Sequence, residues 1–76
     1  MPHVVVKLLA GRSKTQKQRI ADEVTRAVME TALCGEEAVS VAIEDVEPGD
    51  WDEKVFGPEI AGKADKLFKK PGYKAV

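Results

Sequence analysis

The stretch Val4-Val5-Val6-Lys7-Leu8-Leu9-Ala10-Gly11-Arg12-Ser13 decides the fold. Its first six residues are β-branched or aliphatic apart from Lys7, as expected of a strand covered on both faces or lying at a subunit interface. Ala10-Gly11-Arg12 breaks the run, and Ser13 with Gln16 three residues later has capping-box spacing, so a helix is expected to start there. Ile20, Val24, Ala27, Val28 and Thr31 recur on one helical face, while Lys17, Asp22, Glu23, Arg26 and Glu30 lie largely on the other; Gly35 is the expected stop. Val39, Val41 and Ile43 then alternate with Ser40, Ala42 and Glu44, the period of a second strand with one better-buried face. Two strands joined by a helix make a βαβ unit with parallel strands, its crossover right-handed in ~98% of cases.

Working outward from this unit, Glu47-Pro48-Gly49-Asp50 is a turn signal. After it Ile60, Ala61, Ala64, Leu67 and Phe68 predict a second helix that opens at Pro58 and ends at Pro71-Gly72. The expected class is therefore α/β (α+β), a single domain over 1–76, and a two-stranded sheet of this kind needs a second copy to complete it. Length points the same way. A chain of 76 residues buries only ~60–70% of its unfolded surface on folding. Only Trp51, Phe56, Phe68 and Tyr73 are aromatic.

Net charge is −1, from 12 basic and 13 acidic residues, which lacks the basic footprint that nucleic acid or an anionic membrane selects. Cys34 is the only cysteine; an intramolecular disulfide is excluded and a reducing, cytoplasmic compartment is expected. No apolar run is long enough for a signal peptide or membrane span. The glycines are scattered, with no phosphate loop after a strand, and His3 has no second histidine with which to build a metal site. No cofactor or metal is expected.

At the start of the chain, Met1-Pro2 can place a secondary amine at the mature N-terminus, because a small second residue generally permits removal of the initiator methionine. An α-amino group ordinarily titrates near ~7.7–8.0, and burial beside cations lowers that value, so such a nitrogen can serve as a general base. The plainer reading is that proline tolerates the first position of a strand. Arg12 precedes a helix N-terminus, where a cation is disfavoured; it is either a solvated loop residue or part of a carboxylate or phosphate site. Trp51 is either an aromatic cover over core or interface or a pocket wall that desolvates a neighbouring amine. Pro2 and Arg12 flank a strand ~20–25 Å long, so only a neighbouring subunit could bring an Arg12 towards a given Pro2. Cys34 is read as packing, and Lys69-Lys70 as a solvated helix end.

Taken together, Met1-Pro2, the first strand, Gly11-Arg12-Ser13 with the polar helix start, the second strand and an aromatic just past Gly49 resemble the 4-oxalocrotonate tautomerase family over nearly the whole chain. The resemblance implies that Pro2, freed of Met1, is the catalytic base, that Arg12 binds substrate carboxylate, and that Trp51, in place of the usual phenylalanine, lines the pocket. Ser40 stands where the hexameric enzymes carry a second arginine, which implies a monocarboxylate enol of the phenylenolpyruvate type rather than a dicarboxylate. The long tail through Lys69-Lys70-Pro71-Gly72-Tyr73 is similar to that of the dimeric branch and implies a homodimer. Two other functions use the same residues: a hydratase or dehalogenase in which protonated Pro2 is an acid, and a small oligomer that holds a ligand without turnover.

Overall fold

The computed structural model describes residues 1–75, which fall into two compact units, Met1–Asp45 and a second that begins at Val46. In the first, β1 (His3–Leu9) is followed by α1 (Lys14–Ala32), a single 3₁₀ turn (Glu36–Ala38) and β2 (Ser40–Val46), whose last residue opens the second unit. The strands pair in parallel, the βαβ arrangement expected. Their register is set at the N-terminal end, where the Ser40 amide donates to the Pro2 carbonyl at 3.1 Å. The same offset sets His3 beside Ser40, with Nδ1 and Oγ 2.6 Å apart, and Lys7 beside Glu44 at 3.9 Å.

Residue parity along the strands sorts the two faces of the sheet. Lys17 of α1 donates to Asp45 at 2.8 Å, so Val41, Ile43 and Asp45 form the helix-side face of β2. Val4, Val6 and Leu8 of β1 are half-buried, whereas Val5 and Leu9 on alternate positions keep 45% and 41% of their surface. Coverage on both faces, one of the two readings of the Val4-to-Leu9 run, is thus not achieved within the chain.

The capping box of α1 is complete: the Gln16 amide donates to Ser13 Oγ at 3.1 Å and the Ser13 amide to Gln16 Oε1 at 2.8 Å. The half-buried stripe is Lys17, Ile20, Ala21, Val24, Thr25, Val28 and Met29. Ala27 and Thr31, expected on it, are exposed; the Thr31 hydroxyl is satisfied by its own helix, donating to the Ala27 carbonyl at 2.7 Å. Lys17, expected on the solvent side, leans over the stripe to reach Asp45. The helix also stops short of Gly35. Its C-cap is Leu33, in the left-handed region at φ 56° and ψ 57°, with its amide on the Met29 carbonyl, while Gly35 takes an extended φ of −83°.

The second unit departs furthest from the sequence pattern. No helix opens at Pro58. Instead Pro48 starts a 3₁₀ turn (Pro48–Asp50), where its missing N–H leaves nothing unpaired, and the chain continues through Trp51 into a π-helical segment (Asp52–Ala61) with Pro58 inside it. The wide winding closes with the Gly62 amide on the Gly57 carbonyl at 2.8 Å. A Cβ at Gly62 would stand 2.8 Å from that carbonyl oxygen and 2.9 Å from that of Pro58, so glycine is what lets the backbones meet and stops the helix where the apolar stripe would continue. Among the described residues one further 3₁₀ turn (Ala64–Lys66) follows, and Phe68 is fully exposed. Val55, in the π-helical segment, is the one described residue that is buried, at 6% exposure.

Candidate functional site

Pro2 sits half-buried at the head of β1, held to β2 through its carbonyl. The ammonium of Met1 donates to the Ala38 carbonyl at 2.6 Å. With Met1 attached, the Pro2 nitrogen is a tertiary amide, without basicity. Ser40 is Pro2's neighbour across the strand pair, and its hydroxyl is engaged by the His3 ring. Nothing in the sequence pairs His3 with another residue; the parity match between the strands, readable only once their register is known, is what gives it Ser40 as a partner.

Arg12 stands at the other end of β1. Gly11 takes φ +128°, a conformation L-residues rarely adopt, and this turn lets the Arg12 guanidinium fold back so that Nη1 donates to the Leu9 carbonyl at 3.1 Å. Arg12 also lines a shallow cleft with Gln16, Arg19, Ile20, Glu23 and Val24 along the flank of α1. The seven residues of β1 span roughly 23 Å at 3.3 Å each. One protomer therefore brings Pro2 and Ser40 together and keeps Arg12 away from both.

Trp51 belongs to the second unit. Its backbone is helical, at φ −60° and ψ −48°, and its indole N–H donates to the Tyr73 hydroxyl oxygen at 3.0 Å. Tyr73 also contacts Phe56, the ring centroids 5.6 Å apart and tilted by 45°. Nothing local links positions 51 and 73, so the sequence marks Tyr73 only by its place in the tail. Cys34 is half-buried and free. Among the described residues no three His, Cys, Asp or Glu side chains group as metal ligands, and no helix is long and apolar enough to cross a membrane.

The βαβ unit with a proline heading its first strand and a Gly-Arg-Ser turn at the strand's far end defines a class: the chain belongs to the tautomerase family and is an isomerase. The family described as "Tautomerase enzyme" matches residues 2–58. The chain is 44% identical over 73 residues to a Xylella fastidiosa (strain 9a5c) protein named "Probable tautomerase", covering 96% of this chain and 89% of that one. It is 40% identical over 74 residues to the Tautomerase PptA of Cronobacter sakazakii (strain ATCC BAA-894), covering 96% and 97%. Of solved structures, one of the 4-oxalocrotonate tautomerase isozymes from Methylibium petroleiphilum is similar with a TM-score of 0.64 at 36% identity, covering 66% of this chain and 81% of that one.

Proposed function

We propose that the protein is a cofactor-independent keto-enol tautomerase of a small 2-hydroxy enol carboxylate, of the phenylenolpyruvate type, with Pro2 as general base after removal of Met1. The neutral amine takes the enol hydroxyl proton, the electron pair moves through the C=C bond, and the ammonium returns the proton to carbon, leaving the ketone. Arg12 of a second protomer pairs the carboxylate, and Trp51 excludes water and desolvates the amine. Ser40 contributes a hydroxyl in place of a second cation, which favours a monocarboxylate. The observation that carries this reading is the pinning of Pro2: with its carbonyl held by the Ser40 amide at 3.1 Å, loss of Met1 leaves a terminal amine fixed to the sheet. A homodimer is the assembly proposed, supported by the exposed Val5 and Leu9 on the sheet face opposite α1 and by Val55 being the one buried residue among those described.

The test uses untagged protein. Intact mass should show loss of Met1, and turnover of phenylenolpyruvate in D₂O should deliver deuterium to the carbon beside the new ketone. Pro2→Leu, whose larger side chain keeps Met1 in place, should fold and lose turnover. Full activity in protein that retains Met1 would exclude the proline base.

A further inference from the structure

Tyr73 lies outside residues 2–58, the part of the chain that the family describes, yet it holds Trp51 and Phe56 together. The π-helical winding is what makes this geometry available. Trp51 and Phe56 are five positions apart, which would set them about 140° apart around an α-helix; i→i+5 bonding brings such residues round to the same side. Tyr73 then meets both, accepting the indole N–H at 3.0 Å and lying 5.6 Å from the Phe56 ring. A half-exposed indole with no partner samples several rotamers. One whose N–H is bonded to a phenol that is itself held against a second ring has its plane fixed.

We propose that Tyr73 is a positioning residue for Trp51: it fixes the indole plane as a flat wall and so gives the site its preference for enol carboxylates that carry an aryl ring. The inference rests on Trp51 being a wall of the substrate pocket, as proposed above. An aryl substituent gains from a fixed face because offset or edge-to-face ring packing depends on orientation, whereas an alkyl chain packs against an indole in almost any orientation. The role of the tail is thus specificity, exerted through one hydroxyl oxygen.

The experiment measures KM and kcat for phenylenolpyruvate and for an alkyl enol carboxylate of similar size, in wild type, Tyr73→Phe, Trp51→Phe, Trp51→Ala and the double variant Trp51→Phe/Tyr73→Phe. Tyr73→Phe keeps the ring and removes only the acceptor. It should raise the aryl KM about five-fold, as loss of one neutral hydrogen bond does, with kcat and the alkyl KM little changed. Emission of Trp51, the only tryptophan, should change with it. In the Trp51→Phe background, where no indole N–H exists, Tyr73→Phe should have no further effect. An unchanged aryl KM in Tyr73→Phe, an equal rise for both substrates, or the same five-fold effect in the Trp51→Phe background would each overturn the proposal. These outcomes leave the wall itself standing so long as Trp51→Ala weakens aryl binding; if Trp51→Ala leaves both KM values unchanged, the wall fails and the role of Tyr73 fails with it.

Discussion

Pro2 and Arg12 stand at opposite ends of β1, with His3–Leu9 between them, and each is tied to the strand end it occupies. Pro2 is held by the Ser40 amide across the strand pair, and Arg12 by the Leu9 carbonyl after the Gly11 turn. Neither residue can reach the other without dismantling the strand. A site that uses both therefore has to be assembled from two protomers, and the exposed Val5 and Leu9 on the sheet face opposite α1 offer apolar surface for the proposed dimer.

The rate should report a neutral base. In the proposed site, Trp51 desolvation and a second protomer's Arg12 charge would both disfavour the ammonium form, and the Pro2 amine is then expected to titrate below the ordinary α-amino range. The sign follows: kcat/KM for the enol rises with pH as the amine loses its proton and levels off once it is neutral, with the midpoint below the ordinary range. A profile that falls as the amine deprotonates would assign Pro2 the acid role of a hydratase or dehalogenase.

Charge count should set substrate choice. Arg12→Ala would remove the proposed charge-assisted carboxylate contact, for which ~1.5–3 kcal/mol, or roughly 10- to 100-fold in kcat/KM, is the expected loss. Ser40→Arg adds a guanidinium at the position next to Pro2 and should shift the ratio of kcat/KM values towards dicarboxylate enols. A ratio unchanged by Ser40→Arg in folded, assembled protein would show that the Ser40 side chain does not face substrate.

Stability should respond at Leu33. A leucine at φ 56° carries a left-handed backbone penalty of ~1–2 kcal/mol that glycine does not, and its side chain is 86% exposed, so little packing offsets it. Leu33→Gly should raise the urea midpoint at constant m-value, by about 1 kcal/mol of stability. A fall in stability would mean that the Leu33 side chain is covered in the assembled protein.

The βαβ unit was legible because local signals agree with one another: the apolar run of β1, the Ser13 and Gln16 box, and the alternation over β2 all specify short-range geometry. What could not be read were features set by backbone winding or by distant pairs. The left-handed turn falls on Leu33 although Gly35 is the residue that tolerates it. The stripe from Ile60 to Phe68 has α-helical spacing, but Gly62 closes a wider helix that began before Pro58, so the stripe runs across the end of a π-helical segment and a separate 3₁₀ turn rather than along one α-helix. Of the proposed site, Pro2, Arg12 and Trp51 stand out in the sequence by residue type and by position beside strand or turn. The partners of Ser40 and Trp51, His3 and Tyr73, lie 37 and 22 positions away, and no spacing rule connects such pairs.

The composite site is tested most directly by mixing protomers. Pro2→Leu and Arg12→Ala should each be inactive or nearly so at substrate concentrations below KM. When the two are unfolded together in equal amounts and refolded, half of the dimers are mixed, and each mixed dimer holds one site with an intact Pro2 from one protomer and an intact Arg12 from the other. The expected result is recovery of about a quarter of wild-type activity, as an isologous two-site dimer requires. Activity no greater than the average of the two variants refolded separately, with mixed dimers demonstrated by mass, would contradict the account.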